Sequence, residues 1–190
     1  MRIIITRHGE TEENKAGIIQ GHLPGVLSDL GKEQARKLAG RLKDEKIDLI
    51  VSSDLARATD TAKEIAGFHD VEIVFDERLR NKDFREFTGK SRGITEGMRL
   101  RDFFKDGEVE SNDEIFVRAK SLVEDILKRE RENILLVGHR GVNKMIMAIL
   151  MDKTFEDLDE LKLKNTSVSI FDNKDGKMKL ELLNCAGHLG

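Results

Sequence analysis

Arg2-Ile3-Ile4-Ile5-Thr6 runs directly into Arg7-His8-Gly9-Glu10-Thr11. A short, uninterrupted run of β-branched residues reads as a strand buried on both faces. It stops at a cluster of charged and hydrogen-bonding side chains around a glycine. The pattern returns twice. Residues 48–52 read as a strand leading into Ser53-Asp54-Leu55-Ala56-Arg57, and residues 134–137 as a strand leading into Gly138-His139-Arg140-Gly141. Helical periodicity lies between. Residues 31–43 place Ala35, Leu38, Ala39 and Leu42 on one face, with Ser28 or Asp29 able to cap the helix. Asp54 can cap a helix through Ala66. Residues 112–128 turn Ile115, Ala119, Leu122 and Ile126 inward, and a helix over 142–150 follows the 134–137 strand. Residues 71–75 add a strand, and 167–171 with 178–183 form a hairpin around Asn173-Lys174-Asp175-Gly176. Strands alternating with helices predict an α/β three-layer sandwich, a mostly parallel sheet with helices on both faces. Residues 1–190 read as one domain.

The chain is 38% hydrophobic and 36% charged, a globular balance rather than a disordered one. No apolar run is long enough to cross a bilayer. The run Ile3-Ile4-Ile5 is too short for the apolar core of a signal peptide. The single cysteine, Cys185, has no partner for an internal disulfide, so a cytoplasmic address is expected. A net charge of -3 excludes a generally basic nucleic-acid binder. The expected partner is therefore a small molecule, with neither nucleic acid nor membrane; homo-oligomerisation stays open.

Ligands of open α/β sheets bind at the carboxyl ends of the strands, which is where all three reactive segments fall. Arg7, His8, Arg57 and His139 could thus meet at one end of the sheet. Guanidinium groups hold phosphoryl oxygens in bidentate fashion, and a neutral imidazole can act as a nucleophile. Any one of these residues alone reads as structural or as a surface charge, and so do His22, His69 and His188. Cys185 and His188 have too few partners for a zinc site. It is the convergence of three segments that points to phosphate chemistry. The stretch 76–110 has no sustained period and carries nine Lys/Arg against four Asp/Glu between Arg78 and Lys105. A loop this long is commonly functional. It reads either as a solvated basic surface or as an active-site flap over an anionic ligand.

Arg7-His8-Gly9-Glu10-Thr11 resembles the signature of the histidine phosphatase superfamily, which includes the cofactor-dependent phosphoglycerate mutases. The likeness continues through Asn14, Gln20-Gly21, Leu27-Ser28, Gly31 and Gln34-Ala35. It resumes at Ser52-Ser53-Asp54-Leu55-Ala56-Arg57-Ala58, Glu110-Ser111, Gly138-His139-Arg140-Gly141-Val142 and His188-Leu189. The resemblance implies a phosphoglycerate mutase-like fold and a set of roles. His8 attacks phosphorus and becomes a phosphohistidine. Arg7 and Arg57 hold the phosphoryl oxygens, and His139 is a second donor. Asn14, Gln20, Gly21 and Arg140 contact the ligand. Gly9 leaves room for ligand and backbone to approach, and a backbone carbonyl orients His8. No metal and no cofactor are required, since the arginines supply positive charge.

Two positions depart from the family pattern. A glutamate proton donor is expected after a Leu-Arg-like pair, but Leu79-Arg80 is followed by Asn81, and an amide cannot deliver a proton. A glycine expected a little later is replaced by Arg85. Asp83 is read as the acid, with Asn81 holding the substrate or the carboxyl; Glu110 and Glu86 are the other candidates. The sequence therefore reads as a phosphomonoesterase acting on small phosphorylated metabolites. Its competitors are a phosphoglycerate mutase, for which the 76–110 stretch looks short, and a phospho-ligand binding protein with little turnover.

Overall fold

The computed structural model describes residues 1–190, apart from the side chain of residue 101. In chain order the elements are β1 (Arg2–Arg7), α1 (Glu12–Lys15), α2 (Asp29–Leu42), β2 (Leu49–Ser52), α3 (Ala56–Ala66), β3 (Ile73–Phe75), α4 (Leu100–Phe103), α5 (Asn112–Leu127), β4 (Asn133–Gly138), α6 (Arg140–Leu150), β5 (Val168–Lys174) and β6 (Lys177–Cys185). The sheet order is β3-β2-β4-β1-β5-β6. The first four strands are parallel, and β5 and β6 add an antiparallel edge. The α/β sandwich read from the sequence is the fold observed.

Burial on both faces explains the apolar strands. Ile3 and Ile5 of β1, Leu49 and Val51 of β2, and Ile134 and Leu136 of β4 point into a core shared with α5 and α6. Their neighbours Ile4, Ile50, Leu135 and Val137 point into the opposite core with α2 and α3. The period of two in a strand divides each run between the two layers. Strands β1 and β4 are adjacent, yet the helices that follow them lie on opposite faces. That divergence opens a crevice at their carboxyl ends, as at the switch point of a doubly wound sheet.

Several boundaries differ from the sequence reading. Ser28 Oγ caps α2 by accepting from the Gly31 amide. Leu55, not Asp54, is the N-cap of α3 and offers no side-chain bond; Asp54 is drawn off to Arg80, 2.8 Å from its Nε. Helix α6 begins at Arg140, two residues before the expected start, and β3 has three residues. The hairpin turns at Asp175 and Gly176, both with positive φ, as a two-residue turn between twisted strands requires.

The aperiodic stretch 76–110 folds as short 3-10 turns and α4 around a small core of its own. Ile19, Phe84 and Val109 are buried there, with Phe87, Ile94, Leu100 and Phe104 packed against them. The Phe87 and Phe104 rings lie 4.7 Å apart. Arg85, where the family pattern has glycine, keeps a left-handed conformation with φ 46°. Its amide donates to Asp83 Oδ1 at 2.7 Å, and its guanidinium reaches the Gly107 carbonyl. A residue with a Cβ in this region is strained by roughly 1–2 kcal/mol. Arg85→Gly is expected to raise unfolding stability by about 1 kcal/mol in a urea titration; a fall would show that the contact with Gly107 outweighs the strain.

Candidate active site

Register brings the three segments level. In the parallel pairing Arg7 faces Gly138 and Ser52 faces Val137. One residue further on, the His8 amide donates to the Gly138 carbonyl at 3.1 Å and the Ser53 amide to the Val137 carbonyl at 2.9 Å. His8 and His139, each almost wholly buried, end with ring centroids 5.0 Å apart.

His8 Nδ1 lies 2.6 Å from the Gly9 carbonyl oxygen. A carbonyl only accepts, so Nδ1 carries the proton and Nε2 is left as a lone pair. The His8 carbonyl accepts from Asn165 Nδ2 at 2.9 Å, and the Arg7 carbonyl from the Thr166 amide at 3.0 Å. Gly9 and Gly31 are both constrained by close packing of backbone on backbone. A Cβ there would come within 2.5 Å of the Gly31 carbonyl oxygen, and a Cβ on Gly31 within 1.9 Å of the Glu10 carbonyl oxygen. The close approach in the structure is between the loop backbone and the start of α2.

His139 is the N-cap of α6, and its Nε2 is 2.9 Å from Ser53 Oγ, which also accepts from the Leu55 amide. Its Nδ1 is buried without a partner. Arg57, fully buried, donates through Nη1 to the Leu23 and Pro24 carbonyls and through Nη2 to the Gly21 carbonyl at 3.1 Å. Arg7 Nη1 donates to the Leu163 carbonyl at 2.9 Å. The Nε groups of both arginines are buried without partners.

Burial lowers both guanidinium pKa values to about 10, and at Arg7 the neighbouring Arg140, Arg92 and Arg57 add to the effect. Arg92 is exposed, and crowding by protein and then the charge of Arg140 hold its pKa below the ordinary value. Arg92 was not singled out from the sequence. Its stretch has no period, and only tertiary bonds bring it here: the Arg92 amide donates to the Gly17 carbonyl at 2.8 Å.

The other expected residues divide. Asn14 Oδ1 accepts from the Thr11 amide in a capping box, which gives it a structural task. Gln20 is buried with Oε1 unpartnered. Gly21, at φ +48°, could not carry a Cβ without meeting Thr88 Oγ1 at 2.5 Å. Asn81 Oδ1 lies beside Gly141, 4.0 Å from where a Cβ would sit, and its carbonyl accepts from His22 Nε2 at 2.9 Å. Asp83 Oδ1 is engaged by the Arg85 amide. Glu110 binds Arg118 at 2.6 Å and the Asp83 amide at 2.8 Å. Arg118 also holds the Arg78 and Arg80 carbonyls, at 2.6 and 2.9 Å, and so braces the segment carrying Asn81. Beside this segment is a cleft of about 240 Å³ whose lining includes His22, Arg80, Glu110 and Arg118. Among the described residues no helix is long and apolar enough to cross a membrane.

The family model of the histidine phosphatase superfamily (branch 1) matches residues 3–186. A metal-independent phosphoserine phosphatase of Arabidopsis thaliana is 31% identical, over 98% of this chain and 82% of its own. Phosphoglycerate mutase-like protein 4 of the same plant is 32% identical, over 98% and 86%. A mycobacterial glucosyl-3-phosphoglycerate phosphatase in complex with VO3 superposes with a TM-score of 0.87 at 27% identity, covering 97% of this chain and 99% of the other.

Both imidazoles are held well below their ordinary pKa, first by burial. At His8 the charges of Arg7 and then Arg57 add to this, and at His139 those of Arg57, His8 and Arg7. They stay neutral in the folded protein at pH values where the unfolded chain takes up protons. Stability is therefore full above about pH 6.5 and is lost as pH falls from there toward the folded-state values. Each histidine contributes a slope of up to ~1.4 kcal/mol per pH unit. Urea unfolding between pH 6.5 and 5 should be shallower in pH for His8→Asn by about one proton; parallel curves would show that His8 titrates normally.

Proposed function

Because this chain belongs to the histidine phosphatase superfamily, we propose that it is a phosphomonoesterase that hydrolyses small phosphorylated metabolites through a phosphohistidine on His8. The observation that carries this reading is the 2.6 Å contact between His8 Nδ1 and the Gly9 carbonyl. It fixes the tautomer in which Nε2 is a nucleophile, and the depressed pKa keeps that lone pair free near neutrality. Relatives named for phosphoserine and glucosyl-3-phosphoglycerate support a small phosphorylated substrate.

In the proposed reaction, His8 Nε2 forms a bond to phosphorus as the bond to the leaving oxygen breaks. Water then attacks phosphorus, the N–P bond breaks, and inorganic phosphate leaves with His8 neutral again. The buried, unpartnered N–H groups of Arg7 and Arg57 suit phosphoryl oxygens. With the Ser53 hydroxyl donating to His139 Nε2, the unpartnered Nδ1 of His139 carries a proton and can serve as a third donor. Such donors, braced in advance by carbonyls and excluded from water, stabilise charge as it develops. Rapid quench with labelled substrate should trap an acid-labile, base-stable phosphoenzyme, with phosphate released without a bisphosphorylated primer. His8→Ala should lose the label and about 10³-fold or more of turnover. Unchanged labelling in His8→Ala would remove the nucleophile assignment, and primer-dependent isomerisation outpacing hydrolysis would favour a mutase.

The leaving oxygen needs a proton that Asn81 cannot supply. We assign this proton to Asp83, two residues on, whose Oδ1 would exchange the Arg85 amide for the leaving group and whose carboxylate would take a proton back from the attacking water in the second step. Asn81 then holds the substrate beside Gly141. Asp83→Asn should slow alkyl phosphates by ~10²-fold or more while aryl phosphates, whose leaving groups need little protonation, change a few-fold. Equal effects on both classes would leave Asp83 with the turn at Arg85 as its whole task.

A further inference from the structure

Three side chains from distant parts of the chain close around the two peptide units that follow His8. Gln34 of α2 accepts from the Glu10 amide through Oε1 at 2.9 Å. Asn165 Nδ2 donates to the His8 carbonyl at 2.9 Å. Thr61 of α3 accepts from the Gly9 amide through Oγ1 at 3.1 Å. The peptide between His8 and Gly9 is thus held at its carbonyl by Asn165 and at its amide by Thr61. A peptide unit is planar, so bonds at both polar ends fix the orientation of the whole plane.

Thr61 holds more than one end of that peptide. Its side chain is fully buried, on the same face of α3 as Arg57 one turn earlier. The hydroxyl donates to the Arg57 carbonyl at 2.8 Å while its oxygen accepts from Gly9. A helical threonine often bonds back to the carbonyl four residues earlier, and that bond alone would be ordinary. The second bond, to the loop after β1, gives the hydroxyl a task between segments. Donation polarises the oxygen and improves it as an acceptor. Of the three side chains around the loop, Thr61 is the one bonded to Arg57. A single hydroxyl therefore links the peptide that carries the imidazole to the helix turn that carries a guanidinium.

The bond from His8 Nδ1 to the Gly9 carbonyl is local, and it selects the tautomer. It leaves open where Nε2 points, since ring and carbonyl can swing together about the backbone. A misplacement of about 1 Å at a reacting atom can cost ~10²-fold in rate. We propose that Thr61 is a positioning residue that keeps His8 Nε2 aimed at a phosphoryl group held by Arg57, by tying the peptide between His8 and Gly9 to the first turn of α3. The word phosphoryl rests on the phosphatase reading; the link itself does not.

The test compares Thr61→Val, which keeps the shape and removes the hydroxyl, with Thr61→Ser, which keeps the hydroxyl. Rapid quench with p-nitrophenyl phosphate labelled in its phosphoryl group reads the step directly. In Thr61→Val the rate of labelling at saturating substrate should fall ~10²-fold, with the half-saturating concentration within about threefold of wild type. Thr61→Ser should label within about threefold of the wild-type rate. A merely structural residue would lower the fraction of protein that labels and not the rate of the fraction that does. If Thr61→Val does not fold, Thr61→Ala takes its place. An unchanged rate in the variant lacking the hydroxyl, or an equal fall in Thr61→Ser, overturns the proposal. If the wild type takes no label, the phosphohistidine reading is what has failed. The link is then decided by solvent exchange of the His8 ring proton, followed by NMR on protein labelled with heavy nitrogen at histidine. Exchange about tenfold or more faster in Thr61→Val than in Thr61→Ser, with the His139 ring proton unchanged, supports the link. Equal exchange in the two variants, or both histidines speeding up together, overturns it.

Discussion

The His8 amide donates to the Gly138 carbonyl at 3.1 Å, one step past the last paired residues of β1 and β4. A slip of one residue in this register would turn the side chains of β1 to the wrong layers and would separate the two histidines. The register is secured again on the helical side. Asn143, in the first turn of α6, donates through Nδ2 to the Thr6 carbonyl at 2.9 Å, and its Oδ1 occupies the space a Cβ on Gly138 would need. Strand pairing, the start of α6 and the position of His139 thus form one mechanical unit, and the chemistry of the crevice depends on it.

That unit accommodates a collection of groups that do not favour one another. Arg7 and Arg57 are pressed to pKa values near 10, and two imidazoles are kept neutral beside them. Backbone carbonyls rather than carboxylates brace the guanidiniums: those of Gly21, Leu23 and Pro24 for Arg57, and that of Leu163 for Arg7. The choice has a physical basis. A carbonyl orients a guanidinium without cancelling its charge, whereas a buried carboxylate would form an ion pair and leave little field for a bound anion. A site braced this way stays electropositive while having most of its donors fixed in direction.

The strands, the layer order and the four central side chains were legible because each depends on local pattern: period two, period 3.6, and polar residues following an apolar run. What escaped depends on contacts between distant segments. Asp54 looks like a cap until Arg80 is folded against it. The packing of Gly9 against Gly31 depends on a contact between segments that no local pattern marks. Asn165, which holds the His8 carbonyl, sits in a polar stretch ahead of β5 with nothing local to mark it. The core around Phe84, Phe87 and Phe104 follows no period, since the chain there turns in short pieces around its own rings. Arg92 escaped for the same reason, being one basic residue among nine between Arg78 and Lys105.

The bond from His8 Nδ1 to the Gly9 carbonyl joins a side chain to the very next peptide unit. The acceptor that selects the reactive tautomer is thus delivered by covalent connection, and no distant segment has to dock for it to form. The tautomer of the proposed nucleophile is therefore set by a contact that involves no residue of the mouth. This is a modular arrangement: the proposed nucleophile is set in a strand end, and a separate surface lies around it. A chain built this way can alter its rim while the imidazole proposed to react keeps the same tautomer.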